Sequence, residues 1–192
     1  SVVPVVNTVS FLMVRLPPLA QEGKRQTLRE LVRIPAYLVA VVALGFAGAS
    51  EVTVAQWTSA FAERGLGLSK AVADLVGFSL FGVGMIAGRL WFGLKGEAVD
   101  LYRLMIRGSL LSAAMCVVMS VAPWPVVSLA ACAFAGLFVS LLWPGVVSLT
   151  AARFPLAGAS MFALLAASGD TGAGLMPWGL GAVADRITTV PG

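Results

Sequence analysis

Residues 34–62, "IPAYLVAVVALGFAGASEVTVAQWTSAFA", hold a single charged residue, Glu51. Seventeen uncharged residues precede it in this stretch and eleven follow. A bilayer-spanning helix needs roughly 20 mostly apolar residues. The stretch is long enough to cross a membrane, and it carries a carboxylate inside it. The rest of the 192-residue chain has the same character: 59% is hydrophobic and only 11% is charged. Soluble domains carry about 25% charged residues. With a mean hydropathy of +0.94, a soluble fold could not cover its surface with polar groups. The composition therefore reads as an integral membrane protein.

Six segments have the length and apolarity of spans. Residues 1–16 read as the end of a helix. Residues 35–61, 70–94, 104–122, 125–150 and 156–183 read as five full spans. Pro35 suits a first helical turn, where its missing N–H costs nothing. Ser69 stands at the N-cap position of the next span. Residues 108–152 carry no charge at all, and "APWP" (122–125) divides that run into a tight helical hairpin. The chain begins without Met and already apolar, so it reads as an internal piece of a longer protein.

Lys and Arg set the orientation. The connector 17–34 and its flanks carry Arg15, Lys24, Arg25, Arg29 and Arg33. The region between the third and fourth spans carries Arg89, Lys95, Arg103 and Arg107, and the turn before the sixth carries Arg153. The alternate loops carry only Arg64 and Lys70. Every second loop is thus basic and is placed in the cytoplasm. The basic connector is suited to a short surface helix.

Several chemistries find no support. No basic run is interleaved with aromatics, so no nucleic-acid partner is expected. The chain has no histidine, which removes the commonest acid–base group and metal ligand. Cys116 and Cys132 lie in apolar stretches and read as small core residues. No metal site, cofactor or enzymatic activity is expected.

Glycine is frequent in the spans. Gly84 and Gly88 form a G-x-x-x-G that lets helix backbones approach closely. "WPG" (143–145) should kink the fifth span at Pro144. The sixth, "SGDTGAGLMPWGLGAVADR" (168–186), can bend or pack closely. Such helices fit a protein that rocks better than a static anchor, although packing alone also accounts for them.

Two acids lie deep in the spans. Glu51 is 16 residues past Pro35, and Asp170 is 14 past residue 156. At about 1.5 Å per residue, both lie roughly 21–24 Å from the cytoplasmic face. A charged acid at a helix centre costs about 2.5–3.5 kcal/mol on insertion scales. No basic residue is counted at comparable depth, so no internal salt bridge is expected. A water-filled cavity or a protonated carboxyl remains. Gln56, five residues past Glu51, is read as roughly on its side of the helix. Glu51, Gln56 and the Trp57 ring then suit a sugar or similar polyol. Trp57 reads equally as part of the interfacial aromatic belt; Trp91, Trp124 and Trp178 fit the belt. Trp143, beside Pro144, is open to either reading.

Taken together, these residues resemble the C-terminal half of a major facilitator superfamily transporter. "GRLWFGLKG" (88–96) sits where that superfamily repeats its glycine- and arginine-bearing loop motif. Residues 153–186 resemble its eleventh helix. "GASEVTVAQWTSAFAERGLGLS" (48–69) is similar to the seventh helix of fucose-permease-like sugar–proton symporters, matched by Glu51, Val52, Val54 and Trp57. The loop departs from the family pattern, since "LKGEAVD" (94–100) lacks the usual aspartate–arginine pair. Arg89 is left as the best surviving member of the gating cluster.

The resemblance implies an all-α polytopic fold: a second six-helix half with its first helix partial and its last missing. It implies secondary transport of a small polar solute, a sugar first, by proton-coupled alternating access across a cell membrane, that of a bacterial inner membrane. Glu51, Gln56, Trp57, Trp143 and Asp170 would bind substrate or protons, and Arg89 would gate. Its partners would be the solute, protons, the bilayer and the missing N-terminal half. The alternatives are proton-antiport efflux of amphipathic compounds and a solute-binding receptor without flux.

Overall fold

The computed structural model describes residue 13 and residues 26–96 and 99–188. The expected helix end at 1–16 lies outside these residues apart from Met13, and so does the connector before Gln26. Among the described residues the chain is almost wholly helical, with no strand. Helix α1 (Leu28–Leu31) is a single turn closed by a capping box between Thr27 and Glu30. It falls within the basic connector, most of which lies outside the described residues. Its Leu31 is buried.

Helix α2 (Pro35–Arg64) starts on Pro35, and α3 (Lys70–Lys95) follows a turn in which Gly67 has φ +69°. Only glycine takes that conformation without strain. Ser69 occupies the N-cap of α3 but its side chain makes no capping bond. Helix α4 (Leu101–Val121) is capped by the Asp100 carboxylate, which accepts from the Arg103 N–H. "APWP" ends α4 and Pro125 opens α5 (Pro125–Val139).

The fifth expected span is divided. After α5, the helix restarts as α6 (Leu142–Arg153). The break falls at Ser140–Leu141, one turn before Pro144. A proline ring collides with the carbonyl four residues back, and that carbonyl is Ser140's. Helix α7 (Gly158–Thr188) is the last of the described elements, with Pro177 inside it.

Four segments are long and apolar enough to cross a bilayer: α2, α3, α4 and the α5–α6 pair taken as one. Helix α7 has the length but falls outside that set, because Asp170 and its glycines lower its apolarity. The structure therefore supports an integral membrane protein. Helix α5–α6 is the most enclosed and α4 the least.

Glycines set the crossings. The most extensive interface joins α2 and α7, which run parallel. Tyr37 donates to the Met161 carbonyl at 3.0 Å, and Ser168 to that of Val41. A Cβ on Gly172 would strike the Gly45 carbonyl. Helix α3 crosses α5 in the same manner. A Cβ on Gly84 would strike the Ala133 carbonyl, and one on Gly136 the Phe81 carbonyl. The expected G-x-x-x-G is thus a contact between α3 and α5.

Candidate functional site

Glu51 and Arg89 meet. Arg89 Nη2 lies 3.3 Å from Glu51 Oε1. This corrects the expectation that no internal salt bridge forms. The reason is geometric. A Cβ on Gly77 of α3 would touch Thr58 of α2, which fixes the antiparallel register. That register sets residue 84 level with Glu51 and Arg89 about 7.5 Å further on at 1.5 Å per residue. Side chains lean toward the N-terminus of their own helix. In antiparallel helices Glu51 leans down and Arg89 leans back up. The two close an offset that backbone positions alone leave open.

Arg89 has a second partner. Its Nε donates to the Ser140 carbonyl at 3.3 Å. Pro144 has no N–H to offer that carbonyl, so the break between α5 and α6 leaves an acceptor and Arg89 fills it. Gly88 permits the approach: a Cβ there would strike Ser140 Oγ and come within 2.7 Å of the Leu137 carbonyl. One guanidinium therefore ties α2, α3 and the α5–α6 break. The Arg89 side chain is 51% exposed and that of Glu51 23%. The arginine is thus the more open member of the pair and the carboxylate the more enclosed.

The other expected site residues lie elsewhere. Gln56 is exposed and Trp57 half-buried; both line a cavity of about 640 Å³ between α2 and α7, with Arg64, Pro177, Trp178 and Asp185. Trp57 Nε1 donates to the Pro177 carbonyl at 3.3 Å. Glu51 does not line this cavity. Five residues along a helix is about 500° of turn, so Gln56 points roughly 140° away from Glu51. The reading that placed them on one side is corrected on this ground.

Trp143 packs where α2 and α7 cross. A Cβ on Gly48 would lie 2.9 Å from its ring, and one on Gly169 would strike it. Asp170, beside Gly169, is exposed. Gly48 opposite Gly169 places it within about 3 Å of Glu51 in depth, as counted from sequence, but on the outer side of α7. A larger cavity, about 1030 Å³, lies between α2, α4 and α6, lined largely by apolar groups such as Ala43, Met105 and Val146. Neither Glu51 nor Arg89 lines it.

Sequence reasoning missed the Ser140 carbonyl, although the rule that proline frees the carbonyl four residues back points straight to it. It also missed Arg64 and Asp185 as neighbours of Trp57. Nothing in their spacing brings them together until α2 and α7 are known to pack against each other. Among the described residues no group of His, Cys, Asp or Glu is placed to hold a metal ion. Comparison with family models, curated proteins and solved structures returns no match.

Proposed function

We propose that this chain forms part of a secondary active transporter that moves a small polar solute by proton-coupled alternating access. The observation that carries the reading is the Glu51–Arg89 pair. It joins two membrane-length helices, is anchored on a helix break, and is open on one side. Charged groups within spans are costly and mark ion or substrate paths by default. An ion pair beside a helix break is also a contact that two arrangements of the bundle can make or lose. The enclosing glycine crossings allow the helices close sliding contact.

Sugars head the solute panel because of the resemblance in residues 48–69. The Trp57 and Trp178 rings, with Gln56, line a mouth that suits a polyol. Efflux of amphipathic compounds is favoured by a different feature, the apolar cavity of about 1030 Å³. The charged pair stands outside that cavity, which favours the first reading. The test is solute-driven proton movement by the intact natural protein in proteoliposomes, for wild type and Glu51→Gln. Coupled uptake in the wild type that is lost in the variant supports the reading. Equal coupled flux in both removes Glu51 from the mechanism. Competition by hydrophobic cations instead of small polar solutes favours efflux.

A further inference from the structure

We propose that Arg89 is an anion-binding residue and that the transported solute is a monoanion carried together with one proton on Glu51. This rests on the transport reading and names its substrate class.

The argument starts from donors. A guanidinium has five N–H groups in a fixed fork. One bond goes to the Ser140 carbonyl and one to Glu51. Among the described residues its remaining N–H groups have no partner, and the half-exposed side chain can receive a carboxylate in the two-pronged manner that arginine favours. The Ser140 carbonyl does not titrate, so it holds Nε in place whatever Glu51 does. Arg89 is therefore presented to a ligand, not released, when the carboxylate lets go.

Charge decides the rest. Arg89 with ionised Glu51 is neutral. Protonating Glu51 leaves an unpaired cation inside the spans. Adding a monoanion to Arg89 restores neutrality. The site thus has two neutral occupancies: empty, or carrying one proton and one anion. A neutral sugar with a proton on Glu51 leaves a net positive site, and a sugar gives Arg89 no counter-charge. Only the two neutral forms cross the bilayer interior without an uncompensated charge, and the cycle is electroneutral.

The other groups around Glu51 do not substitute for Arg89. Helices α5 and α6 carry no charge before Arg153, and their nearest titratable group, the Cys132 thiol, donates to Thr58 at 3.6 Å. On α3, Asp74 is bonded to Ser59 and Lys70, about 22 Å along the helix from Arg89. On α7, Asp170 lies beyond Gly169 on the exposed side. On α2 itself, Glu63 lies about 18 Å further along.

The experiment measures proton and solute uptake by the intact protein in proteoliposomes. The panel contains lactate, gluconate and galacturonate beside glucose, galactose and fucose. Potassium and valinomycin set the membrane potential. The expected result is one proton per monoanion, with equilibrium accumulation unchanged between 0 and −100 mV. A cycle moving one net charge would shift that accumulation about 50-fold per 100 mV. In wild type the apparent anion affinity falls tenfold per pH unit above the Glu51 pKa. In Glu51→Gln, anion exchange persists without proton movement and its affinity does not change with pH. Arg89→Gln loses anion uptake. Should that variant fail to fold, Glu51→Gln decides alone, since its amide oxygen still accepts from Arg89. Anion uptake that is electrogenic, or a pH profile kept in Glu51→Gln, overturns the inference. Coupled uptake of neutral sugars alone overturns it and leaves the transport reading standing. A panel in which no solute moves protons overturns both.

Discussion

The Glu51–Arg89 contact predicts a double-mutant cycle with an asymmetric pair of single variants. Arg89→Gln removes two interactions, the pair with Glu51 at 3.3 Å and the bond to the Ser140 carbonyl at 3.3 Å. A hydrogen bond to a charged group contributes about 1.5–3 kcal/mol. Half exposure and the long N···O distance place both bonds at the lower end, so Arg89→Gln should cost about 2–3 kcal/mol. Glu51→Gln keeps an acceptor for Arg89 and loses only the charge, about 1 kcal/mol. The double variant should cost no more than Arg89→Gln alone, because Gln at both positions can still bond. The coupling is then about 1 kcal/mol. Reversible unfolding of the purified protein in mixed micelles reads all four values. Single effects that add to within about 0.5 kcal/mol mean the two residues are not energetically joined. That result would refute the site as drawn here.

Three further outcomes follow from the packing. Gly84→Leu should destabilise by about 3 kcal/mol, since the Ala133 backbone cannot yield to a side chain; Gly82→Ala, with nothing within 4 Å, should be neutral or gain up to about 1 kcal/mol, and the same unfolding assay compares them. Cys116 lines the larger cavity while Cys132 is 1% exposed, so a membrane-permeant maleimide should label Cys116 first, as mass spectrometry of the labelled peptides will read. Pro144→Ala restores a donor to the Ser140 carbonyl. Its helix gain, below the roughly 3 kcal/mol of an interior proline because Pro144 stands in the first turn of α6, is opposed by the loss of Arg89's bond, about 1.5 kcal/mol, so stability changes little while coupled uptake falls.

Much of the fold is legible because lipid imposes strong constraints on sequence. A backbone that must satisfy its own polar groups becomes helical, and apolar runs mark where. Helices α2, α3 and α4 begin within three residues of the expected positions. Pro144 announces a kink, but the break precedes it, because proline acts on the carbonyl one turn back. The G-x-x-x-G announces close packing without saying that α5 is the neighbour. Gln56 and Trp57 are legible as members of one mouth. Their distance from Glu51 is not a matter of sequence separation but of helical angle, and that angle separates them.

Arg89 illustrates why the site itself was not legible. Counting residues from Lys95 gives about 9 Å of depth for Arg89, and from Pro35, the neighbouring end of the antiparallel helix, about 24 Å for Glu51, and the two look unrelated. That count follows backbones. Charge follows side-chain tips, and in antiparallel neighbours the tips lean toward each other. Three features with ordinary separate readings then converge: a small residue in a packing motif, a proline kink, and a lone arginine near a helix end. Gly88 brings α3 against Ser140, Pro144 leaves the Ser140 carbonyl open, and Arg89 joins that carbonyl to Glu51. Each alone is unremarkable in a membrane helix. A side chain on Gly88 would strike Ser140 Oγ and move the guanidinium off both partners. The glycine beside Arg89 is therefore as much a determinant of the ion pair as the two charged residues.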